Sequence, residues 1–132
     1  MRQCALPILE NAGVDLVLGG HSHSYERSYL INGHYGLSDS FTPKMNKDGG
    51  SGRENESGPY QKSHSIAHEE TVYIVAGTSG LADQVSPHPA MYTSLSIPGS
   101  LVFDVNGRRL DVRFIDYYGE VKDYFTILKK TG

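Results

Sequence analysis

The last third of the chain constrains the fold most. Residues 100–105 alternate, with Leu101, Phe103 and Val105 on one face, and Asn106-Gly107 supplies a two-residue hairpin turn. Residues 109–116 alternate again through Leu110, Val112 and Phe114. Tyr118-Gly119-Glu120 turns the chain a second time, and residues 121–128 close a three-stranded antiparallel meander. At 132 residues there is room for one domain with a single modest core.

Ahead of the meander the signals alternate between helix and strand. Residues 2–12 read as a short helix, with Cys4, Ala5, Ile8, Leu9 and Ala12 on one stripe of a 3.6-residue period. Pro7 is tolerated only near a first turn, which places the regular part from there, and Asn11-Ala12-Gly13 ends it. Cys4 is expected as a small buried residue; as the only cysteine it excludes an intramolecular disulfide. Residues 14–18 form an apolar strand expected to be buried on both faces, and residues 28–32 a second short strand. From about residue 36 to 70 apolar residues are sparse, and "KDGGSGRENESG" has none, so a long polar surface loop is expected. Residues 71–76 return to strand character and stop at Gly77-Thr78-Ser79-Gly80, whereas residues 81–98, with Pro87, Pro89 and Pro98, read as irregular. The expected class is α/β: one N-terminal helix packed on a mixed sheet that ends in an antiparallel meander.

Composition excludes some functions. A formal charge of −3 gives no electrostatic reason to expect nucleic acid or an anionic membrane as partner. No apolar run approaches the roughly 20 residues that span a bilayer. The opening "MRQCALPILENAG" has neither the apolar stretch nor the small-residue cleavage site of a signal peptide.

The chemistry-bearing motif is "GGHSHSYER", directly after the apolar strand. Residues i and i+2 on extended backbone point to the same side, so His21 and His23 can present two imidazoles to one place. In α/β architecture ligand sites gather at the carboxyl ends of strands, and Gly19 and Gly20 let the backbone turn and an ion or substrate approach. Imidazole suits zinc, iron, manganese or copper better than calcium. Two polar loop histidines are the plain alternative, and two ligands are fewer than a stable metal site needs. His34, His64, His68 and His88 read as solvated loop histidines that do not complete the set.

The whole string resembles the last metal-binding motif of the calcineurin-like metallophosphoesterases, and its Tyr-Glu-Arg is similar to the purple acid phosphatase branch. "LPILENAGVDLVLGGHSHSYERSYLI" is similar to that family's helix–strand–loop unit, "TVYIVAGTSG" to its Gly-rich strand end, and "LVFDVNGRRLDVRFIDYYGEVKDYFTI" to its closing meander. The resemblance implies the C-terminal half of a metallophosphoesterase β-sandwich flanked by helices, holding one of the family's two sheets. It also implies a binuclear centre of iron, zinc or manganese that hydrolyses a phosphate ester. His21 would bind one metal and His23 the other, with Gly20 beside them and Tyr25, Glu26 and Arg27 either orienting the imidazoles or packing. Metals about 4 Å apart would activate a water and clamp the phosphoryl oxygens.

The family's other ligands lie in Asp-x-His, Gly-Asp-x-x-Tyr and Gly-Asn-His-Glu motifs, and none occurs here. The resemblance therefore implies a portion that is inactive alone, assigns no catalytic residue within it, and leaves at most one weakly bound metal. Its partner would be the missing N-terminal half or a second copy covering the exposed sheet face, in an exported protein, extracellular or periplasmic. A non-catalytic β-rich module that binds metal or protein is the competing expectation.

Overall fold

The computed structural model describes residues 2–20, 22–34, 40–62, 70–78, 80, 82, 84 and 88–130. The described chain is mostly β, with two four-stranded mixed sheets and a two-stranded ribbon. Helix α1 (Arg2–Asn11) leads into β1 (Leu16–Gly19), β2 (Tyr25–Ser28) and β3 (Leu30–Ile31). A 3-10 turn at Pro43–Met45 precedes β4 (Asn46–Asp48) and β5 (Tyr60–Lys62). Strands β6 (Val72–Ala76) and β7 (Met91–Leu95) follow, and β8 (Gly99–Asn106), β9 (Arg109–Asp116) and β10 (Val121–Lys129) form the meander.

The first sheet has the order β1-β6-β2-β7 and the second β5-β10-β9-β8. Strands β1 and β6 run parallel, from Leu16 opposite Val72 to Gly19 opposite Val75. Strand β2 lies antiparallel to β6, with Tyr25 opposite Ala76. The carboxyl ends of β1 and β6 and the start of β2 therefore meet at one end of the sheet. The two sheets close on a shared core of Tyr25, Val72 and Ile74 from one and Tyr60, Val112, Phe114, Phe125 and Ile127 from the other. Tyr25 and Phe114 stack with ring centroids 4.1 Å apart. The expectation of a single sheet is thus corrected: the described residues form two sheets that cover each other through this core.

The expected flanking helices reduce to α1, the one α-helix among the described residues. It runs through Pro7 rather than starting there. It also buries Leu6 and Glu10 rather than the predicted stripe, leaving Cys4 exposed and Ile8 68% exposed. The reason is polar: Glu10 accepts hydrogen bonds from the Tyr73 hydroxyl on β6 and from the Gly33 amide, which fixes the helix's rotation. Among the described residues β1 pairs with β6 alone and lies at the edge of its sheet, with Leu18 50% exposed, not a strand buried on both faces. Its composition suits a central strand; its position does not.

Two further expectations change. The polar stretch 36–70 contains β4 and β5 among its described residues, and Tyr60, Ser51 and Lys62 are buried. The irregular region holds β7, whose Tyr92 and Thr93 have the strand propensity that the surrounding prolines obscured. The meander follows its pattern closely, except that Asn106 still pairs with Arg109, which makes Gly107-Arg108 the two-residue loop. Along the β8 face, Val105 overhangs the core and is 74% exposed.

Candidate functional site

The motif sits where the topology converges. Strand β1 ends at Gly19 beside Val75, and exposed Gly20 opens the turn that β2 closes at Tyr25. Within it, the Ser22 amide donates to the Gly20 carbonyl at 2.9 Å and the Ser24 amide to the Ser22 carbonyl at 2.8 Å. The Gly77 amide, just past β6, donates to the Ser24 carbonyl at 3.2 Å. His23 is half-buried in this turn. His21 lies outside the described residues, as do His64 and His68.

The Tyr-Glu-Arg segment is itself strand β2, so its side chains alternate between the faces of the sheet. Glu26 points away from the core, half-buried, and accepts a hydrogen bond from the Ser24 hydroxyl at 3.1 Å. Tyr25 and Arg27 enter the space between the sheets and are fully buried. Both meet Asp123 of β10, itself fully buried. The Tyr25 hydroxyl donates to Asp123 Oδ2 at 2.6 Å. Arg27 Nε donates to the same oxygen at 2.6 Å and Nη2 donates to Oδ1 at 2.9 Å, a bidentate pair. Arg27 Nη1 donates to the Tyr60 hydroxyl at 2.9 Å, and that hydroxyl donates on to the Gly50 carbonyl at 2.8 Å. The guanidinium also lies 4.3 Å from the Tyr92 ring centroid and 4.6 Å from that of Phe125. Arg53 reaches Asp123 Oδ1 at 3.2 Å from the polar loop.

The electrostatics follow from this enclosure. Burial alone disfavours a charged Arg27, but the hydrogen bonds and charge of Asp123 outweigh it and hold the guanidinium firmly protonated. Burial pushes the Tyr25 phenol well above its ordinary range, reinforced by the neighbouring Asp123 charge. Tyr60 is pushed up to about 12, mainly by burial, with Arg27 pulling the other way. The network is a buried, hydrogen-bonded clamp between the sheets.

Sequence reasoning placed the motif at a strand end and left Tyr25, Glu26 and Arg27 between orienting an imidazole and packing. Among their described hydrogen bonds, those of Tyr25 and Arg27 go to Asp123 and Tyr60, and Glu26 bonds Ser24. Asp123 and Tyr60 were missed; the one local sign was an aromatic, Tyr60, directly after the apolar-free run at 47–58 and Pro59. His34 is corrected: it is fully buried rather than solvated, with its ring 5.2 Å from Phe41 and 5.4 Å from His88. His88 is half-buried, and its Nδ1 accepts the Ala90 amide at 3.0 Å. Among the described residues, no group of three or more histidine, cysteine, aspartate or glutamate side chains is placed to hold a metal ion. The described donors therefore do not make up a binuclear centre by themselves.

The chain matches no protein-family profile and none of the curated proteins. Its structure is similar to that of a purple acid phosphatase isolated from yellow lupin (Lupinus luteus) seeds, with a TM-score of 0.65 and 18% sequence identity. The likeness covers 93% of this chain and 19% of the lupin chain. At that identity it is a likeness of fold: the two-sheet unit built here corresponds to a β-sandwich portion of a purple acid phosphatase-like structure.

Proposed function

We propose that this chain is the C-terminal portion of a metal-dependent phosphoesterase of the purple acid phosphatase type, and that His21 and His23 are its contribution to a binuclear metal site. One combined observation carries the reading. A fold like that of the lupin phosphatase has "GGHSHSYER" at the carboxyl end of β1, where α/β proteins gather ligands. The remaining donors come from outside these residues, in the missing N-terminal half. The metals, iron, zinc or manganese, would supply the activated water and the phosphate clamp. The substrate class is a phosphate ester, and the setting an exported one; among the described residues no helix is long and apolar enough to cross a membrane. With the space between the sheets already filled, that missing half is favoured over a second copy as the associating partner.

The test is complementation. The chain alone, given zinc, iron or manganese, is expected to leave p-nitrophenyl phosphate unhydrolysed. Mixed with a separately produced segment carrying the Asp-x-His and Gly-Asn-His-Glu motifs, it is expected to gain activity that His21→Ala or His23→Ala abolishes. Robust turnover by the chain alone, insensitive to both substitutions, overturns the proposal. The self-contained core favours one rival, a β-rich binding module, and a mixture that stays inactive while each part is folded supports that rival.

A further inference from the structure

We infer that Asp123, on the last strand and remote in sequence from the motif, is the positioning residue that holds the histidine turn in place through Tyr25 and Arg27. The inference rests on the proposed role of that turn, but its physical content is independent of any metal. A turn that presents imidazoles is useful only if its backbone is fixed, because a small displacement of a ligating group forfeits most of its effect. Among the described residues of the turn, Ser22 and Ser24 bond each other and Gly20 locally, the Ser24 hydroxyl reaches Glu26, and the Gly77 amide donates to the Ser24 carbonyl. The direction in which this segment meets the sheet is set where it joins β1 and β2.

The upstream end is pinned by the β1–β6 ladder, which runs to Gly19 opposite Val75. The downstream end is Tyr25, next to Ser24. Its ring lies flat on Phe114, 8° from parallel, and its hydroxyl is fixed 2.6 Å from Asp123. Two residues on, Arg27 grips both oxygens of the same carboxylate. One fully buried side chain on β10 thus fixes two successive inward-facing residues of β2 and so the direction in which β2 enters the turn. Phe114 supplies stacking area but no direction along the strand; the carboxylate supplies direction. Ladder pairing of Tyr25, Glu26 and Arg27 with β6 and β7 sets which residues lie opposite, and the bidentate carboxylate adds a fixed point between the sheets that the ladder does not supply.

The test compares backbone order in the full chain by amide relaxation. Asp123→Asn removes the charge at nearly constant shape, Tyr25→Phe removes one hydroxyl and keeps the stack, and Val112→Ala destabilises the same core without touching the network. In the unaltered chain Ser22–Ser24 is expected to have order parameters near 0.85, the rigid-backbone value. In Asp123→Asn and Tyr25→Phe the same amides are expected to fall below about 0.6, with the strand amides unchanged. Val112→Ala is expected to lower the melting temperature while leaving Ser22–Ser24 ordered. Order retained in Tyr25→Phe and in any Asp123→Asn that folds, or lost equally in Val112→Ala, overturns the inference. A separate zinc titration of the unaltered chain judges the metal reading, so either conclusion can fail without the other.

Discussion

Arg27 and Asp123 form a buried pair whose value depends on both members being present. Each charge is costly out of water, and each is compensated by the other and by the surrounding hydroxyls and rings. Arg27→Ala leaves Asp123 buried with its main cation gone, and is expected to lower unfolding free energy by about 3–5 kcal/mol, measured by urea titration. A loss below about 1 kcal/mol would mean that water or Arg53 replaces it readily. The phenols make a second prediction. Burial pushes the Tyr60 phenol up to about 12 and shifts Tyr25 upward too, whereas an unfolded tyrosine titrates near 10. Between those values the folded chain binds more protons than the unfolded one, so stability is full below pH 10 and falls as the pH rises toward about 12. Thermal midpoints followed across that window are expected to drop, and Tyr60→Phe to flatten the drop. At this scale the sequence was partly legible. The string "GGHSHSYER" announced its strand end, because glycines and paired histidines are local signals. The inward direction of Tyr25 and Arg27 was not, because their partner Asp123 lies 98 and 96 residues away.

Secondary structure was legible where one face of an element decides its register. The meander declared itself through period-2 alternation, and β9 keeps its expected limits because Val112 and Phe114 are buried while Arg113 between them is exposed. Helix α1 was read correctly as an element but in the wrong rotation, because buried Glu10, accepting from the Tyr73 hydroxyl and the Gly33 amide, turns Leu6 and Glu10 inward and leaves Cys4 and Ile8 of the apolar stripe exposed. Strand β5 was invisible: it has three residues and its stability comes from parallel pairing with β10, a contact no local pattern encodes. The segment before it shows why a glycine-rich stretch is not merely loop. Gly52 has φ +73°, and a Cβ there would lie 2.5 Å from the Tyr60 ring, while its carbonyl accepts the Thr126 amide at 2.9 Å. Gly52→Ala is therefore expected to cost at least about 2 kcal/mol, combining a left-handed backbone with a clash in a packed core. A thermal melt checks it; an unchanged midpoint would mean that the segment does not seal the core as described.

At the scale of the molecule, two sheets close on one core, α1 is tied to the outer face of the first, and the motif turn emerges at the end where β1, β6 and β2 meet. The sandwich was foreseen from family resemblance but undercounted, since β5 and β7 were not readable and one layer seemed to be missing. The arrangement concentrates buried hydrogen bonds around Asp123 and leaves half-buried His23 in the segment between β1 and β2, where the proposed function needs a ligand. The most direct measurement of that claim is a titration of the full chain with Zn(II), following the imidazole ring resonances by NMR. The account predicts that His21 and His23 shift together, that acidification reverses the shift, and that His21→Ala or His23→Ala weakens it, with His34 and His88 unmoved. Ring signals of His21 and His23 that stay fixed while zinc binds at other histidines, or binds nowhere, would contradict it.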